Sequence, residues 1–152
     1  MTKILAALTA VIGTAVSTPQ AVAAVIEYPG VWLMGTKLAI QFFECGNVVC
    51  GRVIWLKESL DLQGLLKRDK LNPDPALRER PVCGPTIIWN LHPTDASHWE
   101  DGWFYNPDDG STYRVKIELQ SDDVLSARIS ADPLGKTKTL VRIPIGISAG
   151  WC

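Results

Sequence analysis

Thr112-Tyr113-Arg114-Val115-Lys116-Ile117-Glu118-Leu119 alternates without a break. Tyr113, Val115, Ile117 and Leu119 fall on one face; Thr112, Arg114, Lys116 and Glu118 fall on the other. A period of two is the signature of a strand with one dry and one wet face. The wet face carries charges of both signs, which no lipid-facing strand would carry, so a membrane-spanning barrel is excluded. The alternation extends outward on both sides. Gly102 to Tyr105 precedes it across Asn106-Pro107-Asp108-Asp109-Gly110, a hairpin turn with glycine at a left-handed position. Val124 to Ser130 follows, with Leu125, Ala127 and Ile129 inward, and then Thr137 to Ile143.

Earlier in the chain, Leu38, Ile40 and Phe42 share one face, and Ala39, Gln41, Phe43 and Cys45 share the other. Gly46-Asn47 turns the chain, and the return strand places Val53 and Trp55 on the face of Phe42. Gln41, Arg52, Cys45 and Cys50 then share the outer face. A four-residue loop would set Cys45 opposite Cys50, within bridging reach. Thr86 to Leu91 reads as a strand with Ile87, Trp89 and Leu91 on one face. Seven or eight short strands joined mainly by hairpins predict an all-β domain. The expected form is an antiparallel up-and-down β-barrel of about eight strands, whose closure removes the exposed edges.

Two stretches break the rhythm. Glu58 to Arg68 reads as a loop in which Leu60, Leu62, Leu65 and Leu66 make at most one helical turn, interrupted by Gly64. Asp69 to Gly84, DKLNPDPALRERPVCG, is polar and Pro-rich, and its prolines exclude a central strand.

Lys3 is the only charge in the first 26 residues. The apolar run Ile4 to Val16, the breaker Ser17-Thr18-Pro19-Gln20 and the small residues Ala21 to Ala24 follow it. This is the layout of an export signal, with cleavage after Ala23. The run is too short to span a bilayer. The expected division is therefore 1–23 signal peptide and 24–152 one domain, not membrane-spanning after cleavage. The net charge of −1 gives no electrostatic footprint for nucleic acid or anionic membrane. All four cysteines, Cys45, Cys50, Cys83 and Cys152, lie beyond the cleavage site. An even count in an exported chain reads as two disulfides rather than a zinc site, since no C-x-x-C occurs.

Gly30-Val31-Trp32 opens the first strand, and Arg142 lies in the last. The pair resembles the Gly-x-Trp of lipocalin-type (calycin) barrels, where an arginine from the far end of the chain packs on the tryptophan. Such stacking contributes about 0.5–2 kcal/mol. A core tryptophan and an unrelated surface arginine fit these two residues equally well.

A longer set of motifs is present: Cys45-Gly46, Cys50-Gly51-Arg52-Val53-Ile54-Trp55-Leu56, Asp69, Asn72-Pro73-Asp74-Pro75-Ala76-Leu77-Arg78, Arg80-Pro81, Gly84, Trp99, Gly102, Tyr105-Asn106-Pro107, Gly110-Ser111-Thr112-Tyr113, Gly135 and Arg142. Together they resemble the bacterial family DUF2147, small exported proteins, over nearly the whole mature chain. The resemblance implies a periplasmic or secreted protein of a Gram-negative bacterium and no assigned reaction. Two positions depart from its pattern. Leu140 stands where members usually carry tryptophan. Pro133-Leu134-Gly135 stands where many carry a cysteine, the natural partner of Cys83. The resemblance thus implies that Cys152 takes that role.

Six tryptophans are many for this length. Trp55, Trp89, Trp103, Tyr105 and Tyr113, with Trp32, are expected to fill the core or line one barrel mouth, with Arg78 and Arg80 as a polar rim able to hold an anion. Against that, Arg78 paired with Asp69 or Asp74 would only fix the loop. Asp69, Asn72 and Asp74 are read as structural. No cofactor and no metal are expected: the Asn106–Gly110 segment is too short for an EF-hand. No G-x-S-x-G, H-E-x-x-H or phosphate loop occurs. The leading expectation is a non-enzymatic binding module for a small apolar or amphipathic ligand or an envelope protein partner. A hydrolase using His98 with Asp74 or Asp101, and a structural or stress-protective protein without a specific ligand, are the alternatives.

Overall fold

The computed structural model describes residues 30–130, 135–143 and Cys152. The expected leader over 1–23 lies outside the described residues, as do Pro133, Leu134 and the Gly150-Trp151 tail. Eight antiparallel strands, β1 (Gly30–Met34), β2 (Leu38–Glu44), β3 (Val49–Leu56), β4 (Thr86–Pro93), β5 (His98–Asn106), β6 (Ser111–Ser121), β7 (Val124–Ser130) and β8 (Lys136–Ile143), follow one another round a closed barrel. β1 pairs with β8 through Trp32↔Arg142 and its neighbours, which closes the ring.

β6 behaves as its alternation predicts: Val115 and Ile117 are buried, while Arg114, Lys116 and Glu118 are exposed. Trp32, Ile40, Val53, Ile88, Leu91, Leu125 and Leu140 form the dry centre. Gly30 leaves room for the Trp32 indole, whose Nε1 would lie 2.9 Å from any Cβ there. The Arg142 guanidinium carbon lies 4.9 Å from the Trp32 ring centroid. Leu140 is fully buried.

Two strands, β3 and β4, differ from the simple alternation. In β3, Ala39 pairs with Trp55 but Ile40 pairs with Val53, so Ile54 is an extra residue. This bulge turns Trp55 to the outer side, away from Phe42. In β4, Ile88 and Leu91 share the inner face and Trp89 does not, while Ile87, the extra residue between the Gly51↔Ile88 and Arg52↔Thr86 pairs, is also buried in the core. Ile88 pairs with Gly51 and Phe104, and Leu91 pairs with Val49. Asn90 at φ 59° and Asp101 at φ 57° cause this. They sit at the same level of β4 and β5, where the Asn90 Nδ2 donates to the Asp101 carbonyl at 3.3 Å. Trp89 then faces Trp103 across the ladder, on the outer side.

The hairpin joining β2 to β3 has a two-residue loop: Cys45 N–H donates to the Val48 carbonyl at 3.0 Å, and Phe43 stands opposite Cys50. Cys45 and Cys50 are therefore diagonal rather than opposed, and their Cα atoms are 5.9 Å apart in the disulfide. Cys83 and Cys152 form the second pair, with Cα atoms 5.7 Å apart. The Cys152 N–H donates to the Ile54 carbonyl at 3.1 Å, the group that the bulge leaves outside the ladder.

Candidate functional site

Up-and-down connectivity sends successive connections to alternate ends. Segments 45–48, 94–97 and 122–123 gather at one end; 35–37, 57–85 and 107–110 gather at the other. At the first end Phe42, Val49, Leu91, Trp99, Ile117 and Leu125 converge and leave only about 10 Å³, less than a water molecule needs. Gly51 lets this packing close, since a Cβ there would come within 2.9 Å of the Ile40 side chain.

The second end is open. A cavity of about 350 Å³ lies there, within the range of small-molecule sites. Its apolar wall comes from Leu38, Val53, Leu56 and Phe104; its rim holds Lys37, Lys57, Lys67, Glu58 and Asp108. Lys67 Nζ pairs with the Glu58 carboxylate at 3.2 Å. Lys37 and Lys57, joined by a backbone hydrogen bond of 2.8 Å, have no carboxylate within ion-pair distance among the described residues. An apolar cleft with cations at its lip can take a chain molecule with an anionic head.

The 57–85 connection walls one side of this mouth, and Asp69 organises it. This buried carboxylate accepts from the Tyr105 hydroxyl at 2.6 Å, from Asn72 Nδ2 at 2.7 Å and from Arg80 Nε and Nη2 at 3.0 and 2.9 Å. Burial, then the bond to Asp69, pushes the Tyr105 phenol up to about 12. Asp74 caps a 3-10 turn (Pro75–Leu77), and Arg78 Nε donates to the Asn72 carbonyl at 2.7 Å.

Arg78 and Arg80 thus bind the connection rather than form the lip, and it is Arg80, not Arg78, that pairs with Asp69. Of the aromatic residues expected to line the mouth, none is among the pocket-wall residues. Tyr113 packs half-buried on the core, with its hydroxyl on Asp109 at 2.7 Å. Tyr105 pairs with Thr112 on the outer side and is buried beneath Asp69. Trp103 is stacked by Arg114, 3.9 Å from its centroid, and Trp55 and Trp89 also lie outside. The lysine lip was missed by the sequence reading. Its signal was the position of Lys37 and Lys57 at strand ends, where a side chain overhangs the opening.

At the closed end His98 has its Nδ1 2.9 Å from Asp95 Oδ1 and 3.1 Å from Ser97 Oγ. Acid and hydroxyl crowd the same ring nitrogen, whereas a nucleophile relay needs them on opposite nitrogens. Neither Asp74 nor Asp101 is within ion-pair distance of His98; Glu118 is, at 3.6 Å from Nε2. No group of three or more metal-ligating side chains occurs among the described residues.

A closed eight-strand barrel, packed at one end and hollow at the other, defines a lipocalin-like β-barrel protein. A solved structure from the human pathogen Helicobacter pylori, a protein described as belonging to the lipocalin family, is 31% identical, with a TM-score of 0.65 over 78% of this chain and 84% of that one. The chain belongs to the bacterial family DUF2147, described as an uncharacterized protein conserved in bacteria, which matches residues 30–142. No curated protein matches it.

Proposed function

We propose that this protein is an exported carrier, periplasmic or secreted, that holds one small amphipathic molecule with an anionic head in the open barrel mouth. The observation that carries this reading is the 350 Å³ cleft, apolar along Leu38, Val53, Leu56 and Phe104 and lipped by Lys37 and Lys57. The buried tail would supply the affinity, about 0.8 kcal/mol per methylene, and the lysines would fix its direction. Two disulfides support an oxidising compartment, and hence an export leader over residues 1–23. The described lipocalin membership of the Helicobacter pylori protein supports a binding role.

Titration with parinaric acid, a fluorescent fatty acid, tests the reading. Saturable binding at one site per chain is expected. The double change Lys37→Glu and Lys57→Glu should weaken it by about tenfold, the loss of roughly 1.4 kcal/mol of head-group attraction. Non-saturable binding, or no effect of Leu56→Trp in the cleft, would contradict it.

A further inference from the structure

The large hydrophobic side chains exposed among the described residues are Val141 and six leucines, and all six leucines lie in the single connection between β3 and β4. Four of them occupy seven consecutive positions. Leu62 is 100% exposed, Leu65 61%, and Leu60 and Leu66 each 50%. The segment reads in sequence as a loop, and no helix forms within it. Leu60 and Leu66 form an antiparallel bridge, and Asp61 N–H donates to the Leu65 carbonyl at 2.7 Å. The Asp61 carboxylate accepts from the N–H groups of Gln63 and Leu65 at 3.0 and 2.9 Å, and Gly64 takes φ 75°. An Asx turn therefore fixes a small hairpin whose tip presents leucine to solvent.

We infer that this leucine hairpin is a membrane-docking tip, which inserts into the outer layer of an anionic lipid surface. Contiguous exposed apolar surface marks an interaction site. The charges name the occupant. The tip from Leu62 to Leu66 holds no charged residue; Asp61 at its base keeps its charge while accepting from the tip's own backbone, and Glu58 pairs with Lys67. Lys57 and Lys70, neither within ion-pair distance of a carboxylate among the described residues, stand on either side of the tip, while Lys67 is paired with Glu58 and Arg68 with Glu79. Apolar residues flanked by basic ones match acyl chains beneath anionic head groups. The position agrees. Glu58 and Lys67 line the cleft, and Lys67 N–H bonds the Ser59 carbonyl at the base of the same hairpin. Docking by the tip would bring the open mouth to the lipid surface, the source from which an amphiphile enters. That last step rests on the carrier reading; the docking itself does not.

Flotation of the mature protein with vesicles tests the inference. The protein should float with equimolar phosphatidylcholine and phosphatidylglycerol, and less with phosphatidylcholine alone. The double change Leu62→Asp and Leu65→Asp alters side chains that make no core contact, so circular dichroism should be unchanged. Its lipid partition should fall by at least about tenfold, while parinaric acid still saturates the cleft. Leu56→Trp should do the reverse, losing the fatty acid and keeping flotation, which separates failure of one reading from failure of the other. No flotation with either vesicle, or equal flotation after the leucine changes, would overturn the inference. A dimer in sedimentation that the same changes abolish, with no lipid binding, would assign the tip to a second copy of the chain and overturn it as well.

Discussion

The Tyr105 hydroxyl donates to Asp69 at 2.6 Å across 36 positions of sequence, and this bond fastens the long β3–β4 connection to the barrel wall. Asp69 also receives Asn72 and Arg80, so one buried carboxylate satisfies four donor groups. Asp69→Ala should cost about 3–5 kcal/mol in urea unfolding, because Arg80 and Tyr105 lose their partner. Tyr105→Phe should cost about 1–2 kcal/mol. The phenol also sets an alkaline limit. Its folded value near 12 lies above the ordinary 10, so the folded state holds this proton more tightly. The stability this gives is complete below pH 10 and is lost as pH rises toward 12. Tyr105→Phe should flatten that part of the stability profile.

Gly110 meets two demands at once. It takes φ 70°, and a Cβ there would overlap the Leu71 carbonyl oxygen of the β3–β4 connection. Gly35 takes φ 60° with nothing near it. Gly35→Ala should cost about 1–2 kcal/mol, the left-handed penalty alone. Gly110→Ala should cost more than about 3 kcal/mol, since backbone rather than a flexible side chain must yield. Paired thermal melts distinguish the two, and equal losses would show that the Leu71 contact is not tight.

The two disulfides should differ in weight. Cys45–Cys50 closes a separation of 5 residues, and Cys83–Cys152 one of 69. Chain-entropy scaling gives about 2 kcal/mol for the first and about 4 kcal/mol for the second. Denaturant midpoints of the Cys45→Ser/Cys50→Ser and Cys83→Ser/Cys152→Ser variants measure the difference.

His98 and Asp95 titrate as a surface pair. The Asp95 hydrogen bond raises the His98 value above its usual 6.5. The Ser97 N–H and then His98 hold Asp95 at about 2. The His98 contribution is present below pH 6.5 and lost as pH rises through its raised value. The Asp95 contribution is present above pH 3.8 and lost as pH falls toward 2. Imidazole NMR shifts should follow the raised value and return toward 6.5 in Asp95→Asn. Because both side chains are exposed, the effect on global stability should be small.

The barrel was legible in β6 because nothing there interrupts the period of two. It was misread on Trp55 and Trp89 because the bulge at Ile54 and the left-handed Asn90 and Asp101 flip faces without glycine to announce them. The leucine segment was read correctly as a loop, but its hairpin form was hidden, because the side-chain capping by Asp61 that shapes it leaves no mark in the periodicity. The open mouth was foreseen in kind but not in its residues. Arginines drew attention by charge, yet their partners, Asp69 and the Asn72 carbonyl, lie in the same connection. The lysine lip is carried by strand-end positions in two connections, Lys37 before β2 and Lys57 after β3, which the up-and-down topology brings to one end.

Native mass spectrometry of the protein purified under non-denaturing conditions from cells that express it is the most direct measurement of the central claim. The carrier account predicts one amphiphile per folded chain, of a mass that fits about 350 Å³, released on denaturation and missing from Leu56→Trp. A bare chain mass under gentle ionisation, unchanged after incubation with long-chain fatty acids, would contradict it.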